Sequence, residues 1–255
     1  MNCVVLENKI QADGFFYLSL KPDKPLGEIT PGEFVMIRCA QSLDPFLRRP
    51  MSIADFTRDG SRFGLLVQVT GKGTAILSRL ETGGNVDVIG PFGKGFKVPA
   101  GAKSIWIVAG GCGVAPFLGL IDSSVNGPID YTVFLGARSA DTLLYTARFQ
   151  NRGAQTIIAT EDGSKGFHGL VTEPLREKLQ DEKPDAIFTC GPNPMMRAVK
   201  TIAEKEGTLC FVSLENMMAC GVGACLGCVA KVPGENRYVT TCKAGPVFDA
   251  LSVEI

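Results

Sequence analysis

Four of the nine cysteines crowd between Cys220 and Cys242, in the order Cys220-Gly-Val-Gly-Ala-Cys225-Leu-Gly-Cys228 and then Cys242, a C-x4-C-x2-C-x13-C spacing. A stretch this rich in Gly and Cys holds too little apolar side chain to organise a core of its own. Something bound by its thiolates must order it. A loop of four residues followed by one of two is the wrap by which thiolates enclose a two-iron, two-sulfide cluster. Gly221, Gly223, Ala224 and Gly227 would let the backbone approach the inorganic sulfides and donate N–H bonds that tune the potential. The alternative is a structural zinc site, although zinc knuckles favour two short C-x2-C pairs and only one is present. An odd cysteine count in a reducing compartment points to metal before a disulfide framework.

The rest of the composition narrows the partners. Lys+Arg and Asp+Glu both number 26 in 255 residues, so no basic excess invites nucleic acid. No apolar run reaches the ~18–20 residues of a membrane helix. Met1-Asn2-Cys3-Val4-Val5-Leu6-Glu7 lacks the basic and apolar regions of a signal peptide, so a cytoplasmic chain is expected. Charged residues are only 20% of the chain; a large partner interface or a well-filled core would account for that.

Three regions follow one another. Residues 1–99 contain short alternating segments broken by Gly and Pro. Strands are expected at Gly32–Arg38, Gly64–Val69 and Asn85–Ile89, the last stopped by Gly90-Pro91, with one helix at Thr74–Leu80. That pattern predicts a small antiparallel barrel. Residues 100–213 alternate apolar runs (Ile105–Ala109, Tyr131–Leu135, Thr156–Ala159, Ala186–Thr189, Leu209–Val212) with helical stretches (Val114–Ile121, Leu170–Leu179, Pro194–Glu206). Unbroken apolar strands between helices predict a doubly wound parallel sheet covered on both faces. Residues 214–255 form the small cysteine lobe.

Two glycine turns fall at the same edge of that sheet. Ile105–Ala109 runs into Gly110-Gly111-Cys112-Gly113-Val114-Ala115-Pro116, a strand, turn and helix start suited to a pyrophosphate. Pro116 occupies the sixth position, so the G-x-G-x-x-G fingerprint fails, and a tight turn with no ligand is the alternative. Cys190-Gly191-Pro192 follows the strand Ala186–Thr189, with Pro194 in the first turn of the next helix. In the first region, Arg49-Pro50-Met51-Ser52 offers a cation for a diphosphate and a hydroxyl for a ribitol or ring. An exposed basic turn is the alternative there. Gly71-Lys72-Gly73-Thr74 opens the only expected barrel helix and offers backbone N–H groups to an anion, without the spacing of a Walker loop.

Taken together, Arg49–Ser52, Gly73-Thr74, Gly110–Pro116, Cys190–Pro192 and the cysteine tail resemble the ferredoxin–NADP reductase superfamily. The tail Ser213–Cys225, followed by Cys242–Phe248, is similar to that of the electron-transfer subunits of NAD-dependent (class 1B) dihydroorotate dehydrogenases. The resemblance covers almost the whole chain, and its tail is the most specific part. It implies an FAD-binding barrel (1–99), an NAD-binding α/β domain (100–213) and a [2Fe–2S] lobe (214–255). It puts FAD on Arg49, Pro50, Met51, Ser52, Leu66, Val67, Gln68, Gly73 and Thr74. NAD, a diffusible acceptor, falls on Gly111, Gly113, Pro116, Cys190 and Gly191, with Cys190 facing the nicotinamide. Cluster ligation falls on Cys220, Cys225, Cys228 and Cys242.

The family further implies an FMN-containing catalytic partner that oxidises dihydroorotate, in a heterotetramer of two copies of each chain, serving pyrimidine biosynthesis. No dihydroorotate site is expected in this chain, and His168, its only histidine, reads as a loop residue. Met51 stands where the wider superfamily usually has Tyr, and Cys112 where an aliphatic or Thr is commoner. Arg138-Ser139 would suit a 2′-phosphate and hence NADP, against a solvated strand-end charge. Glu215 is a candidate for the flavin edge. Two rivals stand beside this reading: the same relay serving a hydrogenase or sulfur-reductase complex, and a zinc-binding module without enzymatic activity.

Overall fold

The computed structural model describes residues 1–123 and 129–255. Alternation of apolar and polar residues, with turns at Gly and Pro, folds the first third into strands: β1 (Asn2–Ala12), β2 (Phe15–Pro22), β3 (Phe34–Ile37), β4 (Arg49–Phe56), β5 (Phe63–Gln68) and β6 (Asn85–Phe92). They close an antiparallel barrel in the order β1-β2-β5-β4-β3-β6. Its interior is filled by Cys3, Val5, Leu18, Leu20, Val35, Ile37, Ile53 and Leu65. Closure pairs the edge strands with each other, so no row of backbone donors is left open.

Helix α1 (Lys72–Leu77) plugs the barrel with Leu77. The Asn8 side-chain amide donates to the carbonyls of Leu77, Ser78 and Leu80 at 3.2, 3.2 and 2.8 Å. These bonds satisfy carbonyls orphaned at the helix end. The helix is therefore shorter than the stretch expected from the apolar spacing. A second difference concerns Gly90-Pro91, which does not stop its strand: β6 runs through to Phe92. Phe34 pairs with Phe92 and Met36 with Ile89, so Gly90 and Pro91 together oppose Val35. A bulge of this kind accepts a proline because its residues are released from the ladder.

The middle of the chain supplies β7 (Ser104–Gly110), α2 (Ala115–Asp122), β8 (Asp130–Ala137), α3 (Thr146–Gln150), β9 (Gln155–Thr160), β10 (Phe167–His168), α4 (Thr172–Asp181), β11 (Ala186–Cys190), α5 (Asn193–Glu206) and β12 (Leu209–Ser213). The last part adds β13 (Val229–Lys231), β14 (Tyr238–Thr240), α6 (Thr241–Ala244) and β15 (Val247–Asp249). Sheet order is β10-β9-β8-β7-β11-β12-β15, parallel up to β12, with β15 antiparallel at the edge. The sequence segment 214–255 thus contributes a strand to the nucleotide-domain sheet as well as carrying the cysteines.

Alternate residues of β7 serve opposite faces. Ile105 and Ile107 pack with Phe117, Leu118 and Leu120 of α2, whereas Trp106 and Val108 pack with Leu175 of α4 and Met196 and Val199 of α5. The first face also takes in Phe15, Tyr17, Ala54 and Leu66 of the barrel. Barrel and sheet therefore share one core, and Gly119 lets α2 lie against β4, where a Cβ would stand 2.6 Å from the Phe56 ring.

Candidate flavin, nucleotide and cluster sites

The barrel and the segment after β12 enclose a cleft of about 670 Å³. All nine residues expected at a flavin line it: Arg49 to Ser52 on β4, Leu66 to Gln68 on β5, and Gly73 and Thr74 on α1. Of the two adjacent arginines, Arg48 is turned inward, ion-paired with Asp87 and donating to its carbonyl at 3.0 Å. Arg49 has no carboxylate partner among the described residues. A Cβ on Gly73 would lie 3.3 Å from the Arg49 Nε and 3.0 Å from the Cys39 Sγ. The Thr74 hydroxyl is occupied locally, accepting from the Thr70 and Gly71 amides at 2.9 and 3.2 Å, which shapes the turn before α1. Among the described residues Arg49 Nη1 is tied only to the Leu47 and Arg48 carbonyls, so a cleft lined by a guanidinium without a counter-charge and by Met51, Leu66 and Val67 fits a flavin dinucleotide.

Six further wall residues run from Ser213 to Met218, and of these the sequence reading offered only Glu215. Ser213 ends β12 and the other five follow it with no periodicity or glycine signal, so only the closure of the fold turns them toward the barrel. Glu215 and Cys112, left open by the sequence, both line this cleft. Burial holds the Glu215 carboxyl above the usual carboxylate range, and the Cys190 thiol, 3.9 Å from Oε1, pulls slightly the other way. Burial likewise raises Cys190, and pushes Cys112 up to about 12, with the Glu215 charge adding to both.

This has a consequence for pH dependence. Above the ordinary carboxylate range, folded Glu215 keeps a proton that the unfolded chain has released, so stability falls as pH rises toward its raised value. Chemical denaturation of Glu215→Gln across that range is expected to lack this decline. Parallel curves for the two proteins would refute it.

A second cleft, about 660 Å³, lies over the C-terminal ends of β7, β8 and β9. Open parallel sheets bind ligands at that edge. Gly111 lines it, and a Cβ there would meet nothing within 4 Å. The other four expected nucleotide residues lie elsewhere. Gly113 is packed against the backbone of Cys190, whose carbonyl oxygen a Cβ would approach to 2.2 Å. Gly191, at φ +143°, packs on Gly110, and Pro116 is buried in α2. Cys190 is 1% exposed, behind the flavin cleft beside Glu215. The wall instead includes Asp13, Phe15, Arg138, Thr142, Glu161 and Met195. Several of these sit in turns and on β2, far apart in sequence. His168 is exposed on β10 and lines neither cleft, although the next residue, Gly169, lines the second.

Gln68 lines both clefts, so they meet at the end of β5. On the far side of the first cleft are the cysteines. Cys220 Sγ accepts from the Val222 and Cys225 amides at 3.4 Å each, and these bonds pull its thiol down to about 6. Cys242, raised to about 11 mainly by burial, is hydrogen-bonded to Cys228. Cys242 feels both the Cys228 thiol and the Cys220 charge, so the lobe gathers these cysteines on one side. A sulfur that accepts backbone N–H bonds, as Cys220 does, suits an iron–sulfur cluster, whose potential such bonds tune. The Asn216 amide holds this lobe by donating to the Thr241 hydroxyl at 2.8 Å and the Val229 carbonyl at 3.3 Å. Met218 packs with Phe34, Met36, Cys228 and Cys242 while also lining the flavin cleft.

Comparison with known proteins agrees with this arrangement. Residues 215–254 match the iron–sulfur cluster binding domain of dihydroorotate dehydrogenase B, and residues 107–201 match the oxidoreductase NAD-binding domain. The dihydroorotate dehydrogenase B (NAD(+)) electron transfer subunit of Desulforamulus reducens is 40% identical over 225 residues, 88% of this chain and 86% of its own. The chain belongs to the family of dihydroorotate dehydrogenase B electron transfer subunits. The Fusobacterium nucleatum member is 35% identical over 259 residues, covering 100% of this chain and 98% of its own.

Among solved structures, an NADH-dependent reduced ferredoxin-NADP oxidoreductase studied for flavin-based electron bifurcation superposes with TM-score 0.86 at 28% identity. It covers 99% of this chain and 89% of its own. A Neisseria gonorrhoeae ferredoxin NADP+ reductase with bound FAD and NADP gives TM-score 0.69 at 14% identity, covering 81% of this chain and 91% of its own, which is a likeness of fold. For this electron transfer subunit, then, the likeness to the first reductase extends over nearly the whole chain, that to the second over 81% of it, and residues 215–254 carry the match to the dihydroorotate dehydrogenase B cluster domain.

Proposed function

We propose that the chain is the NAD-reducing subunit of a dihydroorotate dehydrogenase complex, passing electrons from an FMN-containing catalytic subunit by way of [2Fe–2S] and FAD to NAD+. The linear order of sites carries this reading: cysteines, then Met218, then the flavin cleft, then Gln68, then the nucleotide cleft. A flavin, when bound, takes electrons singly or in pairs and so joins a one-electron centre to a two-electron nicotinamide. The chain's own residues supply position and environment. Cys220, Cys225, Cys228 and Cys242 hold the cluster, and the amides of Val222 and Cys225 favour the charged thiolate of Cys220. Arg49 faces the flavin diphosphate, while Met51, Leu66 and Met218 keep water from the ring. Gly111 brings backbone close to the nucleotide pyrophosphate.

Met217 and Leu226, 92% and 63% exposed, stand on the cysteine lobe. We assign them to the face that meets the catalytic subunit, with two copies of each chain in the assembly and the cytoplasm as its location. No described helix is long and apolar enough to cross a membrane. The likeness to the NADH-dependent reductase favours one second reading, the same relay serving another redox complex.

The test is anaerobic assay of the complex isolated from its own cells by a tag on this chain, given dihydroorotate and NAD+. NADH formation requiring both subunits is expected, and Met217→Asp should raise the amount of catalytic subunit needed. A flavin- and iron-containing complex that forms no NADH from dihydroorotate would overturn the substrate and leave the second reading.

A further inference from the structure

Away from the cysteines and the flavin cleft, an ionic network centred on a buried carboxylate joins the two domains, its two arginines each 34% exposed. Asp55 on β4 has a side chain only 6% exposed. Its Oδ1 accepts from the Tyr17 hydroxyl at 2.8 Å and from Arg62 Nη1 at 2.8 Å. Its Oδ2 accepts from Arg148 Nη2 at 2.9 Å and stands 3.1 Å from the same Tyr17 hydroxyl. Tyr17, Asp55 and Arg62 belong to the barrel, whereas Arg148 belongs to α3 of the nucleotide domain. The Arg148 guanidinium lies over two rings, 5.3 Å from the centre of Tyr17 and 4.6 Å from that of Tyr145.

Two features show that this contact is costly to make. Tyr145 has φ +63°, a left-handed backbone that a bulky residue rarely adopts. Gly64 on β5 leaves room for Tyr17, since a Cβ there would lie 2.2 Å from the hydroxyl oxygen. A buried ion pair is seldom the most stable filling for an interface, because desolvation offsets much of the attraction. What a guanidinium between a carboxylate and two rings does supply is one allowed orientation.

The elements it joins are those that build the nucleotide cleft. β2 carries Tyr17 in the network and, two residues earlier on the same strand face, Phe15 in the cleft wall. The segment leading into α3 carries Thr142 in the wall and Tyr145 in the network, and α3 itself carries Arg148. We propose that Arg148, gripped by Asp55, is a positioning residue for hydride exchange: it sets the separation of β2 from the 140–150 segment and so the width of the nucleotide cleft. The inference rests on the reading of that cleft as the NAD site.

The experiment uses the flavin-loaded chain and three variants, Arg148→Met, Arg148→Lys and Asp55→Asn. NADH is mixed with each in stopped flow, and bleaching of flavin absorption is followed per bound flavin. At saturating NADH the rate in Arg148→Met is expected to fall roughly tenfold or more, since misplacement of reacting groups by about an ångström has effects of that order. The long-wavelength charge-transfer absorption of the NADH–flavin pair should weaken with it. Arg148→Lys, which keeps the charge and loses the fork, should recover part of the rate. A purely structural role would lower thermal stability while leaving the rate per bound flavin unchanged, and that result overturns the proposal. Deuterium uptake in β2 and residues 140–150, read without nucleotide, should rise in Arg148→Met. Unchanged uptake also overturns it. Failure of NADH to bleach the wild-type flavin, with uptake rising as expected, would instead refute the NAD reading and leave the clamp as a contact between domains.

Discussion

Cys225→Ala is expected to cut electron flow from the catalytic subunit to NAD+ by roughly 100-fold or more, since loss of a metal ligand exceeds the 10–100-fold cost of losing a supporting contact. Cys225 lines neither cleft. NADH-driven reduction of the bound flavin should therefore stay within about twofold of wild type, because the groups that orient nicotinamide and flavin are untouched. The pair of assays separates two failures. Loss of both activities would instead mean that the cysteine lobe keeps the flavin cleft closed, through the wall formed by Ser213 to Met218. Dihydroorotate-dependent NADH formation at the normal rate would sink the relay, since electrons would then reach the flavin cleft by a route that bypasses the cluster. Cys225→Ser, with a poorer but similarly placed ligand, should fall between the two.

Gly113→Ala is expected to destabilise the chain by about 3 kcal/mol or more, the upper range for overpacking a rigid site. The reason is backbone against backbone. The added carbon would lie 2.2 Å from the Cys190 carbonyl oxygen, 2.4 Å from its carbon and 2.6 Å from the Gly191 nitrogen. None of these atoms can swing aside as a long side chain would, because β7 and β11 are neighbours in the sheet, paired from Ala186 and Ile105 to Cys190 and Ala109. The apparent midpoint of thermal unfolding should drop by roughly 6–12 °C on that basis. Gly111→Ala, two residues earlier, is the control. It has φ +55° and open space around the new carbon, so only left-handed strain of about 1–2 kcal/mol is expected. Equal losses at the two positions, measured by thermal and denaturant unfolding, would show that the two turns are not locked together.

These two glycines also mark where sequence reasoning stopped. Both belong to one glycine run, and a strand–turn–helix signal assigns both to a phosphate. In the fold, Gly111 opens onto the nucleotide cleft and Gly113 serves to interlock the turns after β7 and β11. Composition at a turn shows that a side chain is excluded, but what excludes it depends on which backbone arrives from elsewhere in the chain. The same holds for Cys190. Its place at the end of β11 was legible, yet its burial beside Glu215 follows from the strand pairing of β11 with β12.

Other features were determined locally. Apolar runs of strand length between helical stretches require a covered parallel sheet, because such a strand has two faces to bury. The C-x4-C-x2-C-x13-C spacing brings thiols together over short loops, so a cluster-binding segment was readable without tertiary information, and residues 215–254 match such a domain. Arg49 to Ser52 and Leu66 to Gln68, the residues expected at a flavin, sit at the ends of two neighbouring barrel strands and all line one cleft; since successive strand residues face opposite ways, that convergence belongs to the strand ends and not to alternation. Only the tertiary structure decided how the three sites are joined. Gln68 shared between clefts, Met218 between flavin and thiols, and Arg148 clamped to Asp55 across the domain boundary each depend on residues far apart in sequence. Local spacing fixes what a segment can bind, whereas contacts between distant segments arise when the whole core closes, and that closure determines where an electron or hydride can pass.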